Sequence, residues 1–440
     1  MTAKHNRLSA ESLEVRIESL AEDGRGVAHA EGKAVLAVGG LPGERVRVCV
    51  TKRRRSYDEG RIEEVLEASP ERVTPACPFF DLCGGCSLQH LAPERQIEHK
   101  QRWLLDALRR IGGVRPAEVL EPLRGPCWGY RRKARLGVKH VPGKGRVLVG
   151  FRERRSPYIV DMSRCEVLDS SVGRRLMELS DLLGSLDAKD RIPQIEVAVG
   201  DNAAALVFRH LAPLGHADLE RIAGFGERTG VQVWLQPKGP DTAHPLWPPG
   251  AALWYRLEAF DVTIHFRPTD FAQINFDINR PMVESVLALL DPQADERVLD
   301  LFCGLGNFSL PLARKAGEVV GVEGEPSLIE RARENARANG IGNLELHARD
   351  LDAELGGHRW AKARYDRILL DPPRPGAEAA VRTLGARGAR RIVYVSCHPA
   401  TLARDAGILI HEHGYGLERA GVMDMFPHTA HVESIAVFSR

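Results

Sequence analysis

The sequence predicts an α/β chain: a doubly wound parallel sheet in the C-terminal third, a small all-β barrel at the N-terminus, and a β-rich region between them. Three observations carry this. After Val298, short runs of Val, Ile and Leu alternate with helical patterns. From Leu13 to Glu67 such runs are separated by turns alone, and from Tyr130 to Val160 strand patterns alternate basic and apolar residues.

The barrel is expected over residues 8–68. Its five strand patterns are LEVRIESLA, GRGVAHAEG, KAVLAVGG, ERVRVCVTKRRR and GRIEEVLEA, and the alternation Arg45-Val46-Arg47-Val48-Cys49-Val50 puts three valines on one face. Its size and Gly-Arg-Gly turn resemble a TRAM domain, an OB-like RNA-binding module. A central domain is expected over residues 69–265. There, Pro93 to Ile111 reads as an amphipathic helix with Ile97, Trp103, Leu104, Leu105 and Leu108 on its apolar face. Tyr130 to Val160 reads as basic-faced antiparallel strands, Gly200-Asp201-Asn202 turns a hairpin, and the Pro-rich interval Gln236 to Gly250 reads as a loop.

The last domain is expected over residues 266–440. Strands at VLDLFCG, EVVGVEG, NLELHARD, DRILLDPP and RIVYVS alternate with helices at SLPLARKAG, PSLIERARENARANG, EAAVRTLGARG and PATLARDAGILIHEHG. The tail, YGLERAGVMDMF and HVESIAVFSR, has two strands without a helix between them, the mark of an antiparallel finish.

Composition narrows the class. The chain has 440 residues, 43% of them hydrophobic, enough for two to four domains. No apolar run approaches the roughly 20 residues that cross a bilayer, and MTAKHNRLSAE lacks a signal-peptide core, so a cytosolic protein is expected. The net charge of +2 conceals an asymmetry: Lys100 to Arg164 holds 17 Lys/Arg against 5 Asp/Glu, so the remainder sums to about −10. A basic excess this concentrated suits a phosphate backbone.

Eight cysteines are too sparse for a disulfide scaffold. Cys77, Cys83 and Cys86 stand in a C-x5-C-x2-C arrangement around Gly84-Gly85, and Cys165 in DMSRCEVL is the natural fourth thiolate of a closed tetrahedral site. Zinc or a [4Fe-4S] cluster would satisfy four thiolates. The C-x3-C-x2-C run of radical enzymes is absent, so a closed cluster with a structural or RNA-positioning role is the better reading.

In the last domain, Asp300-Leu-Phe302-Cys303-Gly304-Leu-Gly306-Asn307 follows the first strand and opens a helix, without the third glycine of a dinucleotide fingerprint. Glu323 ends the second strand, where a carboxylate can accept from both ribose hydroxyls, and Asp350 ends the third at a position suited to an adenine amino group. A nucleoside cofactor without a diphosphate, S-adenosylmethionine, fits this set. Asp371-Pro372-Pro373-Arg374 ends the fourth strand, with Arg374 where enzymes methylating exocyclic amines carry an aromatic residue. Cys397 ends the fifth strand beside a helix N-terminus that favours a thiolate. Methylation at carbon, for which a thiol nucleophile has a purpose, is therefore favoured over methylation at nitrogen.

FAQIN (Phe271 to Asn275), DLFCGLGNFSL, LLDPPR, VSCHPATLARD and PHTAHVES, in this order, are similar to the characteristic stretches of the uracil-C5 RNA methyltransferases, and the likeness spans nearly the whole chain. The barrel and the four cysteines make it most similar to the branch acting on uracil-1939 of 23S ribosomal RNA. The resemblance implies a Rossmann-like class I S-adenosylmethionine-dependent methyltransferase domain, a [4Fe-4S] cluster on Cys77, Cys83, Cys86 and Cys165, 23S ribosomal RNA as partner, and a cytoplasmic monomer with no membrane attachment. It also implies that Gln273, Phe302, Asn307, Glu323, Asp350 and Asp371 contact the cofactor, that Cys397 adds to uracil C6, that Glu433 removes the C5 proton, and that Asp371 orients the base or the cysteine. His398, His428 and His431 are expected to be structural, and Cys303 to be packed beside the cofactor loop.

Overall fold

The computed structural model describes residues 12–351 and 357–440, so residues 8–11 of the expected barrel lie outside the described residues. Two compact units emerge, one of Met1–Trp103 with Phe426–His431, the other of Leu104–Met425 with Val432–Arg440.

The first unit is built on a six-stranded sheet of Ser12–Arg16, Ser19–Leu20, Gly26–Ala30, Lys33–Val38, Arg45–Arg53 and Tyr57–Glu67. One strand more than expected arises because the first pattern bends at Ile17-Glu18, where the Ile17 N–H still donates to the Glu44 carbonyl but the Glu18 N–H already donates to the Val27 carbonyl. Ser12–Arg16 then pairs with Arg45–Arg53 while Ser19–Leu20 pairs with Gly26–Ala30, so one bent strand joins both edges and closes the barrel. Val46 and Val48 are fully buried in its core, with Val15, Val35, Ala28 and Ala37. Val50, the third valine of the alternation, is only half-buried, because the pairing slips at Val50/Lys52. The helix expected over residues 93–111 runs as Pro93–Ala107 and finishes in a π-helical turn, Leu108–Gly112, capped by Gly113 at φ 66°.

The second unit holds two sheets and a hairpin. Six strands, Lys133–Val141, Arg146–Gly150, Gln194–Val199, Ala204–Arg209, Gln232–Gln236 and His244–Trp247, form one sheet. The turn at Gly200-Asp201-Asn202 joins Gln194–Val199 and Ala204–Arg209 as expected. The Pro-rich interval, however, is not wholly loop: His244–Trp247 pairs with Gln232–Gln236 as an edge strand. Pro245 is tolerated there because an edge strand leaves one side without ladder bonds. A separate hairpin, Leu253–Leu257 with Val262–Phe266, precedes the last domain.

The large sheet positions the site. Its strands are β1 (Arg297–Leu301), β2 (Glu318–Glu323), β3 (Leu344–Ala348), β4 (Arg367–Leu370), β5 (Arg391–Ser396), β6 (Gly416–Met423) and β7 (Glu433–Ser439), in the order β3-β2-β1-β4-β5-β7-β6. The first five are mutually parallel, and β7 runs antiparallel between β5 and β6, as the helix-free tail predicts. Glu118–Val119 adds an eighth, two-residue strand beside β6. Strand order reverses between β1 and β4, and that is where an open α/β sheet opens a crevice at its C-terminal edge.

Candidate active site

Cys397 sits where β5 ends and the helix Pro399–His411 begins. Pro399 enters the first helical turn, where its missing N–H costs nothing. His398 caps that turn, its Nδ1 accepting from the Thr401 N–H at 3.4 Å, and the Ser396 hydroxyl accepts from the His398 N–H at 3.1 Å. These bonds fix the backbone on either side of the thiol.

Glu433 arrives from the other direction. The β5/β7 register pairs Ser396 with Ser434, so its next step sets Cys397 opposite Glu433. Glu433 is 5% exposed. Asp371, directly after β4, donates its N–H to the Leu301 carbonyl of β1 and therefore stands at the point of strand reversal. Asp371 is half-buried there.

The electrostatics show how close these groups are. Burial first, then the charges of Glu433 and Asp371, push the Cys397 thiol up to about 11, and the Arg374 guanidinium opposes them. Burial and the neighbouring Glu323 push Asp371 up to about 7, and burial with Asp371 holds Glu433 well above the usual carboxylate range. Asp300, wholly buried on β1, is pushed up to about 8 by burial and by Asp371 and Glu323, against the hydrogen bond from Ser309. Cys397, Glu433, Asp371 and Glu323 thus lie within electrostatic reach of their neighbours, with Asp300 buried behind Asp371 and Glu323.

The loop after β1 is braced from β2. Phe302 takes φ 64°, unusual for a residue with a Cβ, and Phe302 and Cys303 both donate their N–H to the Val322 carbonyl. Glu323 accepts from the Gly304 N–H at 3.1 Å and from the Glu325 N–H at 3.0 Å, one on each carboxylate oxygen. Each oxygen keeps a second lone pair for a hydroxyl. Asn307 forms a reciprocal amide pair with Asn279, at 2.9 and 3.0 Å, and accepts from the Tyr255 hydroxyl at 2.9 Å. Cys303 is 5% exposed, and burial drives its thiol well up, which suits packing.

Cys397, Asp371, Glu433 and Glu323 are thus brought together, with Phe302 and Asn307 on the adjoining loop. Gln273 lies half-buried in the segment preceding the helix Phe276–Leu290, and Asp350 is exposed two residues beyond β3. Asp300, Tyr255 and Asn279 were not legible as site residues. For Asp300 one signal was available: a carboxylate inside the apolar run Val298-Leu299-Asp300-Leu301 must have a reason to be buried.

Cys77, Cys83 and Cys86 belong to the first unit and Cys165 to the second. All four are buried, and the Gly85 N–H points at Cys83 Sγ at 3.4 Å, a contact that suits a thiolate ligand. Among the described residues, no group of three or more His, Cys, Asp or Glu is arranged to hold a metal ion. His428, in the first unit, is tied to Gln96, whose Oε1 accepts its N–H at 2.8 Å.

Residues 255–440 match the family described as tRNA (Uracil-5-)-methyltransferase, and residues 8–62 match the TRAM domain. The chain is 56% identical to the 23S rRNA (uracil(1939)-C(5))-methyltransferase RlmD of Alkalilimnicola ehrlichii, covering 100% of this chain and 99% of that protein. It is 52% identical to the protein of the same name from Hahella chejuensis, over 100% of both chains. Among solved structures it resembles the Pyrococcus abyssi tRNA (uracil-54, C5)-methyltransferase in complex with S-adenosyl-L-homocysteine, with a TM-score of 0.72 and 24% identity over 97% of this chain and 100% of that one, a likeness of fold.

Proposed function

The chain belongs to the RlmD family of 23S rRNA (uracil(1939)-C(5))-methyltransferases, and from that premise we propose that it methylates C5 of a uridine in 23S ribosomal RNA by a covalent route through Cys397. It is an enzyme with a class I methyltransferase fold and a TRAM domain. The observation that carries the route is the convergence of Cys397, Asp371 and Glu433 at one sheet edge, close enough for each acid to raise the thiol.

Uracil C5 is too weak a nucleophile to react unaided. Cys397 Sγ forms a bond to C6, which places carbanion character on C5. The thiol is neutral at rest, so its proton must leave as the bond forms, and Asp371, poised at about 7, is the adjacent acceptor. S-adenosylmethionine, when bound, supplies an electrophilic methyl group. Glu433 then takes the C5 proton, and the electron pair of that C–H bond restores the C5–C6 double bond as Sγ departs. Burial of Glu433 raises its basicity for this step. Gln273, Phe302, Asn307, Glu323, Asp350 and Asp371 would hold the cofactor. The target base is flipped into the crevice, since C5 and C6 are enclosed in structured RNA.

For the cysteines, Cys77, Cys83, Cys86 and Cys165 would hold a [4Fe-4S] cluster with a structural or RNA-positioning role. The support is their thiol chemistry, their burial and the N–H aimed at Cys83 Sγ. Division into barrel, central and methyltransferase regions at residues 8–68, 69–265 and 266–440 then assigns RNA holding to the first two. An rRNA substrate supports a cytoplasmic enzyme, and a monomer is proposed.

The decisive experiment uses 23S rRNA fragments carrying 5-fluorouridine. Fluorine leaves Glu433 no proton to remove, so a methylated adduct should persist on Cys397 only when S-adenosylmethionine is present. Cys397→Ala should lose both adduct and turnover; normal methylation by that variant would sink the covalent route.

A further inference from the structure

The strand Leu253–Leu257 lies outside the large sheet, yet it sends one side chain to the loop after β1. Tyr255 is 2% exposed and its ring packs against Phe276 at 4.6 Å and Phe266 at 5.9 Å between centroids. Its hydroxyl reaches Asn307 Oδ1 at 2.9 Å. Asn279, fully buried on the helix Phe276–Leu290, completes the arrangement with the reciprocal amide pair.

Valence counting gives the consequence. An amide oxygen has two lone pairs and an amide nitrogen two hydrogens. Tyr255 and Asn279 occupy both lone pairs of Asn307 Oδ1, and Asn279 takes one of its N–H groups. One Nδ2–H is left, on a side chain that is itself only partly buried. Nothing in this network serves the strand ladder or the helix, so its effect is to hold one donor in one direction.

We infer that Tyr255 and Asn279 are positioning residues for the cofactor: they lock the Asn307 amide so that its remaining N–H meets the carboxylate of the cofactor's amino-acid arm. The acceptor is chosen by elimination among cofactor groups. Glu323 can only accept, which suits ribose hydroxyls, and Asp350 likewise suits the adenine amino group, leaving the carboxylate as the anionic acceptor for a fixed donor. This rests on the reading of residues 302–307 as the cofactor loop.

The test is calorimetric binding to the full-length protein of two ligands, S-adenosylhomocysteine and methylthioadenosine, which lacks the amino-acid arm. Tyr255→Phe keeps the ring packing and removes only the hydroxyl. It should weaken S-adenosylhomocysteine about 3-fold to 10-fold and leave methylthioadenosine unchanged, the scale of one lost hydrogen bond. Asn279→Ala should do the same more strongly. Tyr255→Phe added to Asn307→Ala should cost nothing further, because the hydroxyl would have no amide left to orient. Equal losses for both ligands, or full additivity with Asn307→Ala, would show a merely structural role and overturn the proposal. If Asn307→Ala binds S-adenosylhomocysteine normally while Cys397 still forms its adduct, Asn307 is not a cofactor contact and the assignment of that loop position falls, with the covalent route intact.

Discussion

Cys397, the proposed nucleophile, is kept protonated at rest, since burial and two acidic neighbours oppose the thiolate. Its alkylation by iodoacetamide, followed on the Cys397 peptide by mass spectrometry, should therefore rise about tenfold per pH unit above neutrality and level off near 11. Glu433→Gln removes a negative neighbour, so the midpoint should move down, while turnover falls by about 10²–10⁴ because the C5 proton has no acceptor. An upward midpoint would contradict the assigned proximity. Asp371 carries the opposite burden on stability. Its folded-state value is raised to about 7 from 3.8, so the folded form binds the extra proton, and the stability this confers is lost as pH rises through 7. Asp371→Asn should accordingly raise Tm by a few degrees at pH 9 relative to the wild type, by less at pH 5 and hardly at all at pH 3, by calorimetry without ligand. These acids stand at strand ends that can be read from the sequence. Their mutual repulsion cannot, because it depends on how β1, β4, β5 and β7 are ordered.

The motif VSCHPATLARD shows what an element contributes beyond its proposed nucleophile. Its Asp405 is fully buried and accepts from the Tyr394 hydroxyl of β5 at 2.7 Å, from the Ala377 N–H at 2.7 Å and from Arg404 at 2.8 Å. Arg404 also donates to the Pro375 carbonyl at 2.9 Å, and Thr401 to the Arg374 carbonyl at 3.1 Å. One helix thereby binds down the turn that follows Asp371, where Gly376 at φ 86° packs so tightly that a Cβ would meet Arg404 and Asp405 at 2.6 and 2.8 Å. The elements carrying Cys397 and Asp371 thus share one brace. Asp405→Asn should cost about 2 kcal/mol, read as a lower urea midpoint, because one acceptor site becomes a donor facing N–H groups. It should also reduce turnover, although Asp405 lies outside the chemistry. An unchanged midpoint would show that the brace is dispensable.

Over the whole molecule, the basic excess from Lys100 to Arg164 is less free than its count implies. Lys144 and Arg146 both pair with Asp161, Arg132 with Asp201, and Arg135 with Glu196 at 3.1 Å. Arg135 and Lys139 nevertheless remain exposed on the strand Lys133–Val141. Lys139→Ala should weaken rRNA-fragment binding regardless of sequence and flatten the log–log salt dependence by about one charge, roughly 0.7–0.9 in slope. An unaltered slope would remove this strand from the RNA interface. Among the described residues no helix is long and apolar enough to cross a membrane.

What the sequence determined by itself was periodic or punctuated. Alternation and turn residues were enough for the barrel strands, for β1 to β7 and for their intervening helices, because periods of 2 and 3.6 residues report which face is buried. Strand-end placement was enough to nominate Cys397, Asp371 and Glu323, while Glu433 was nominated by the family resemblance of PHTAHVES alone. Only the tertiary structure decided the rest. The bend at Ile17 that closes the barrel, the edge strand His244–Trp247 inside a Pro-rich interval, the buried Asp300, and the reach of Tyr255 to Asn307 across 52 positions all depend on contacts between distant residues. Local pattern encodes burial but not the partner, and a hydrogen bond or a charge repulsion exists only once both partners have been brought to the same place.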